Sequence, residues 1–329
     1  MIDPASDLWV VTAYYNPMGY RRRLANFRAF RRHLSAPLLV AELSRAGRGD
    51  LADDDADIVL RFAGEDRLWQ KERLINLAVA QLPPHVRHVA WIDADLILSD
   101  PHWPDRVRER LDTRGGLLQV FDTAYHLPPD LDPATVDVAQ CRALSPELTG
   151  VSIARALRED RFDDLETIWH NRARGDAEMP VAYVVRGFGW AARRAELARA
   201  GLYTGNVVGG GDWLMAFAQI GRLEQCFEQR PFTPAHRDHV RTWYDGARKS
   251  GLFDHLGDVP QTAWHLWHGA LTDRRYSERY RILVDHDYDP ARDLVAAPGA
   301  AHAWADPTGP LPGAVEAYFR SRREDGAGS

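Results

Sequence analysis

Apolar residues along the first hundred positions change period several times, and each change marks an element. Leu8–Asn16 (LWVVTAYYN) is β-branched and aromatic and closes at Asn16-Pro17, which predicts a strand and then a turn. Tyr20, Leu24, Phe27 and Leu34 then recur at helical spacing with arginines between them, predicting an amphipathic helix. PLLVAEL and DIVLRF read as two further strands. DRLWQKERLINLAVAQL, from Asp66 to Leu82, predicts a helix halted by Pro83-Pro84. HVAWI, from His88, predicts the next strand.

After Asp95 the pattern loosens. GLLQVFD is a predicted strand, and Thr123 to Met179 is polar, with Pro-rich pieces and short helical fragments. PVAYVVRGFGW returns to the sheet, AARRAELARAG gives a short helix ended by Gly201, and VVGGGDWLMAFAQIG is a glycine turn opening another helix. DRRYSERYRILVDH and the segment around AVEAYFRSRRE predict two closing helices. Strands alternating with helices indicate an α/β fold, a mixed and mostly parallel sheet flanked by helices. With no internal repeat and no convincing linker, a single elaborated domain is expected over 1–329.

Composition narrows the classes. The chain has 329 residues, 45% of them apolar and 10% aromatic, enough for a substantial core. A formal charge of -6 argues against nucleic-acid binding through bulk positive charge. Basic residues are almost all arginine, with Lys71 and Lys249 the exceptions. Cys141 and Cys226 lack ligand spacing, which suits a reducing compartment. No basic-then-apolar leader and no apolar run long enough for a bilayer occur, so a cytoplasmic protein without a membrane span is expected.

The candidate chemistry starts at HVAWIDADLILSD. Asp93 and Asp95 follow a buried strand, where open α/β sheets bind ligands. The same spacing recurs elsewhere, as in Asp285/Asp287, but there it ends a helix-like segment. Close carboxylates suit Mg²⁺ or Mn²⁺, and such an ion can clamp a diphosphate. His265 and His268 in WHLWHG offer further ligands, although histidines among tryptophans are commonly just packed. Trp69, Arg73 and Asn76 share a helical stripe that could reach a nucleotide or simply meet solvent. Asp212, after Gly209–Gly211, is placed to cap a helix or to act as a general base.

Three blocks in order, WQKERLINLAV, WIDADLIL and GFGWAARRAELARAGLYTGNVVGGGDWLM, resemble the GT-A fold glycosyltransferases. The closest resemblance is to the inverting, metal-dependent enzymes of the β-galactosyltransferase and chondroitin-synthase type. It implies a GT-A (Rossmann-like) sheet whose first half, 1–121, binds a nucleotide sugar, with 122–269 as the acceptor and catalytic half and 270–329 as a helical extension. It implies a UDP-linked donor, an acceptor hydroxyl compound of unstated class, and Mn²⁺ or Mg²⁺. By the same resemblance Asp95 ligates metal, Asp93 supports ribose or metal, and His268 is the third ligand, with His265 as the fallback. Thr12 and Tyr14 line the nucleoside pocket, and Lys71, Arg73 and Asn76 lie near base, ribose or phosphates. Asp212 deprotonates the acceptor, and Trp190 and Trp213 offer faces to sugar C–H groups. The chain departs from these enzymes in having a single acid, Asp212, where they often carry two or three, and in lacking the Golgi members' anchor, so a bacterial cytoplasm is the implied setting. The segment from Thr123 to Met179 is where acceptor specificity is expected.

Two other classes fit parts of the sequence less well. A haloacid-dehalogenase-type phosphatase also uses Asp-x-Asp after a strand, but Ile97 stands where that family has Thr or Val. Eleven tryptophans suit a carbohydrate-binding module, but such modules are β-rich rather than alternating.

Overall fold

The computed structural model describes residues 3–45, 47–146, 148–173, 182–276 and 278–326. In chain order its two larger sheets use β1 (Leu8–Tyr14), β2 (Leu38–Ser44), β3 (Ile58–Ala63), β4 (His88–Ile92), β5 (Leu96–Leu98) and β6 (Leu117–Gln119). They continue with β7 (Thr123–His126), β8 (Leu148–Ser152), β9 (Ala182–Val185), β10 (Gly189–Arg193), β11 (Leu256–Asp258) and β12 (Thr262–His265). The central sheet runs β3-β2-β1-β4-β10-β6-β11. Its pairs are parallel except at β10, which is antiparallel to both β4 and β6. The expected mixed, mostly parallel α/β sheet is therefore what the chain forms.

Alternation along each strand explains why β1, β2 and β4 read as continuous apolar runs. Leu8 and Val10 of β1, Leu38 and Val40 of β2 and Ala90 and Ile92 of β4 face one core, against Phe27 and Phe30 of the helix Arg21–His33. Trp9 and Val11, Leu39 and Ala41, and Val89 and Trp91 face the other, against Leu74, Ile75 and Ala78 of the helix Lys71–Ala80. Both faces are covered, as in parallel sheets generally. Each large side chain buried this way stabilises by about 1.5–3 kcal/mol.

Of the second sheet, β5-β12-β7-β8-β9, only the β9 segment was legible in the sequence, and PVAYVVRGFGW, read as one strand, splits into β9 here and β10 in the central sheet. The polar stretch expected to be irregular from Thr123 onward supplies β7 and β8, paired antiparallel with His126 opposite Leu148. The rest of that stretch carries short helices at Val138–Ala143, Ile153–Arg158 and Phe162–Ala173, as its helical fragments suggested; its end, 174–179, and the first two residues of PVAYVVRGFGW lie outside the described residues. Three predicted helices are also corrected. The one expected over Asp66–Leu82 begins at Lys71, because Trp69 N–H donates to the Val207 carbonyl at 2.8 Å and Gln70 (φ −149°, ψ 34°) is not helical. DRRYSERYRILVDH gives a 3₁₀ turn at Leu271–Arg274, then Arg275 at φ 46°, then a helix only over Arg279–Asp285. The closing helix, Pro310–Arg320, stops short of Arg322 and Glu324, leaving both for the site.

Candidate active site

The chain reverses twice at the end of β4, and both reversals bring in chemistry. Asp93 follows Ile92 and is clamped to the turn between β9 and β10: its N–H donates to the Phe188 carbonyl at 2.7 Å, and the Phe188 N–H donates to Asp93 Oδ2 at 3.2 Å. Phe188 has φ 75°, a conformation costly for a bulky residue and held only by its surroundings. Its ring stacks on His265 at 4.6 Å and 8°. Asp93 is thus fixed to one side of the turn and His265 packed on the other.

Asp95 starts the second reversal, which leads directly into β5. Antiparallel pairing of β12 with β5 sets His265 opposite Leu96, and Leu266 N–H donates to the Asp95 carbonyl at 2.8 Å. Register alone therefore delivers His265 beside Asp95, and the following turn adds His268. Asp95 Oδ2 lies 2.9 Å from His268 Nε2 and 3.7 Å from His265 Nε2. Ligand atoms of the three residues all fall within 4.8 Å of one another. Burial raises the Asp95 carboxyl, but His265, His268 and Arg274 outweigh it and hold it well below the usual carboxylate range. Burial pushes His265 well below its ordinary value, against the pull of Asp95.

This donor set fits a divalent cation. Asp95 Oδ1 and His265 Nδ1 are buried without a hydrogen-bond partner, and Glu324, itself buried, stands 3.8 Å from His268 Nδ1 as a charge partner for that ring. One carboxylate and two imidazoles suit Mn²⁺ better than Mg²⁺. Arg274 Nη2 lies 2.6 Å from His268 Nε2 and would have to swing aside for that nitrogen to hold a cation.

On the opposite wall, Lys71 opens the helix Lys71–Ala80 and bridges two acids. Its Nζ lies 2.9 Å from Asp93 Oδ1 and 2.5 Å from Asp212 Oδ2. Burial alone would lower the Lys71 ammonium, and Asp212, Asp93 and Glu72 more than offset that, so it stays charged. Burial pushes Asp93 up to about 6 and Glu72 to about 7, in each case against the pull of Lys71. Asp212 does not cap its helix. The cap is Gly210 at φ 95°, preceded by Gly209 at φ 86°, and Asp212 stands in the first turn of Gly211–Gln219 with its carboxylate turned to Lys71. Gly211 has no room for a side chain, since a Cβ there would lie 2.2 Å from Glu72 Oε1.

These groups line one cavity of about 260 Å³. At the β1 end Tyr14 and Tyr15 face it, with the Tyr14 hydroxyl donating to Asp50 at 3.0 Å. Arg23 and Arg322 enter from that side, tied to Glu324. Arg186, Arg230 and Arg279 line the wall near Asp212. No single motif announced these arginines, and in a chain this rich in arginine only the fold separates them from the solvated ones.

The expected residues divide cleanly by location. Tyr14, Lys71, Asp93, Asp95, Asp212, Trp213, His265 and His268 all line the cavity. Thr12, Arg73, Asn76 and Trp190 do not. The Thr12 hydroxyl is buried and donates to the Ile92 carbonyl at 2.6 Å, tying β1 to β4. Arg73 donates to the Ala300 carbonyl, fastening a C-terminal segment. Asn76 makes a two-way bond with the Leu202 backbone, at 2.9 and 2.8 Å. Trp190 is a core residue whose Nε1 donates to the Arg186 carbonyl. Trp213 reaches the cavity, but the Arg230 guanidinium covers its face at 4.0 Å. Asp93 bonds Lys71 and stands outside the Asp95, His265 and His268 cluster.

No protein-family model and no curated protein matches the chain. Among solved structures, S. aureus TarS 1–349 in complex with UDP-GlcNAc is similar at 10% identity and a TM-score of 0.39, over 80% of this chain and 60% of that one. The chain thus spans less than two thirds of that TarS chain. A mycobacterial protein is similar at 11% identity and TM-score 0.34, over 90% and 82% of the two chains. A protein described as a nucleotide-diphospho-sugar transferase, from Desulfovibrio desulfuricans G20, is similar at 9% identity and TM-score 0.31, over 97% and 98%. Likeness this distant carries no argument about function, which has to rest on the cavity.

Proposed function

We propose that the chain is a glycosyltransferase that moves a sugar from a nucleotide-diphosphate donor, UDP-linked, to an acceptor hydroxyl with inversion. The observation that supports this reading is the convergence on one cavity of an Asp95–His265–His268 cluster, a Lys71-bridged acid pair and several buried arginines. Asp95, His265 and His268 would hold Mn²⁺. When bound, such an ion neutralises charge that develops on a departing diphosphate.

The chain's own residues do the rest. Tyr14 and Tyr15 at the end of β1 bound the nucleoside end. Lys71 holds Asp212 at a fixed point and keeps Asp93 oriented. Asp212 takes the acceptor's hydroxyl proton as that oxygen attacks the anomeric carbon. The new bond is C–O to the acceptor, the bond broken is C–O to the diphosphate, and its electron pair leaves with the nucleotide. General-base help of this kind contributes typically 10²–10⁴-fold.

The test is turnover of a panel of UDP- and GDP-sugars, read as nucleoside diphosphate released, in the wild type and in Asp95→Ala. Slow hydrolysis of one donor that disappears in Asp95→Ala supports the reading. No release from any donor, together with no nucleotide binding, contradicts it.

A further inference from the structure

We propose that the cavity wall beside Asp212 is a subsite for an anionic group, a phosphate or a carboxylate carried by the acceptor, held by Arg230 and Arg279. The proposal rests on the transferase reading and adds the acceptor's chemical class to it.

Arg279 is 7% exposed, yet the groups facing it are the hydroxyls and rings of Tyr318, Tyr280 and Tyr276. Arg230 faces Tyr280, Cys226 and Arg279 itself, with its guanidinium over the Trp213 ring. Among the described residues neither makes an ion pair with a carboxylate, and Arg230 Nη1 and Arg279 Nε are buried with no hydrogen-bond partner. A third cation, Arg186, stands close enough to Arg230 for the two charges to repel; its own partner is Glu166. Buried charge is costly unless paired, and like charges together compound the cost. Both arginines line the cavity, and guanidinium forks are matched by planar or tetrahedral anions.

Location assigns the anion to the acceptor rather than the donor. The donor's diphosphate belongs with Asp95, His265 and His268, where Arg274 also stands. Arg279 instead packs over the glycine turn: its guanidinium nitrogens come 3.2 Å from where a Cβ of Gly209 or Gly210 would sit. Arg230 covers Trp213, the residue next to Asp212. An anion between them would therefore lie beside the residue proposed to take the acceptor's proton.

Equilibrium dialysis tests this on the full chain saturated with UDP and Mn²⁺, using labelled glucose 6-phosphate, glucuronate and glucose. Binding of either anion at least tenfold tighter than glucose is expected, with a tenfold loss in Arg230→Gln and Arg279→Gln. Arg230→Lys, which keeps the charge, should recover part of the loss, and this separates charge from a folding defect. Anion binding that appears without UDP and is lost in the UDP-saturated chain would overturn the proposal by assigning the arginines to the diphosphate. Equal binding of glucose, or unchanged anion binding in both glutamine variants, would overturn it too. The UDP arm alone, run without sugar, reports on the transferase reading. Anion binding without UDP binding removes that reading and keeps the anion site; UDP binding without anion binding does the reverse.

Discussion

Lys71→Met removes the one ammonium that joins Asp93 to Asp212 while keeping most of the side chain's volume. Breaking a fully buried ion pair by deleting one partner costs about 3–5 kcal/mol, because the surviving charge is left uncompensated. Here the side chains of Asp93 and Asp212 keep 30% and 23% exposure, so solvent screens part of that loss. A destabilisation of about 2–3 kcal/mol at pH 8 is the reasonable magnitude. At roughly 2 °C per kcal/mol for a chain of this size, the melting temperature should fall by about 5 °C. The loss must also depend on pH. Burial already holds the Asp93 carboxyl at about 6, and without Lys71 it rises further. At pH 5 Asp93 is then largely protonated and uncharged, so the variant should recover much of its deficit. Thermal melts of wild type, Lys71→Met, Asp212→Asn and the double variant, each at pH 5 and pH 8, measure this directly. The double variant should be less destabilised than Lys71→Met alone at pH 8. Equal deficits at both pH values, or a double variant that merely sums the singles, would show that the three groups do not share charge as described.

Other outcomes follow from the same geometry. Asp212→Asn should lower kcat by about 10²–10⁴ with the donor KM little changed, measured by steady-state nucleotide release; normal turnover would remove Asp212 from the chemistry. Gly210→Ala should destabilise by about 2 kcal/mol or more in urea unfolding, because φ is 95° and the new methyl would lie 2.3 Å from the Tyr280 hydroxyl. Gly221→Ala, also at positive φ but in open space, should cost only about 1 kcal/mol. Glu72 has a folded-state pKa raised to about 7 from 4.5, so the stability it contributes is present below pH 4.5 and lost as pH rises through 7. Glu72→Gln should therefore gain stability over wild type between pH 5 and pH 8, and a constant difference across that range would contradict the assignment. His236 works in the opposite direction. Burial lowers it to about 3, so the unfolded chain binds the extra proton and stability is lost as pH falls below 6.5. His236→Phe should flatten that acid limb.

Much of the central sheet was legible because its signal is local. β1, β2 and β4 are apolar on both faces, and strands buried on both sides leave that mark in any sequence. The end of β4 was likewise visible, since Asp93 and Asp95 break a run of buried residues. What the pattern could not carry was side-chain direction at element ends. Thr12 and Tyr14 share a strand end, yet the Thr12 hydroxyl satisfies the Ile92 carbonyl while Tyr14 reaches the cavity. Arg73 and Asn76 lie on the helix that carries Lys71, but they fasten the backbone at Ala300 and Leu202 instead of facing the cavity. A polar side chain near a backbone loop and one near a cavity look the same in sequence.

Most of the second sheet stayed hidden for another reason. Its strands are short and mix threonine, tyrosine and histidine with the apolar residues, and His126 and His265 meet the cavity, so no apolar alternation set them apart. The arginine wall was hidden by sequence distance, since Arg186, Arg230 and Arg279 come from separate elements. Their chemistry emerges only when the segment after β9, the end of the helix Leu223–Gln229 and the helix Arg279–Asp285 are brought together. Phe188, at positive φ between two glycines, gave no sign that it would hold both Asp93 and His265.

Calorimetric titration of the purified chain with UDP and with GDP, each in Mn²⁺ and in EDTA, bears most directly on the proposed metal and donor site. The proposed site at Asp95, His265 and His268 calls for UDP binding that needs Mn²⁺ and falls at least as much in Asp95→Ala as the roughly 10–100-fold that loss of outer-shell metal partners produces. Equal binding of UDP in Mn²⁺ and EDTA, or no binding of either nucleotide, would contradict it.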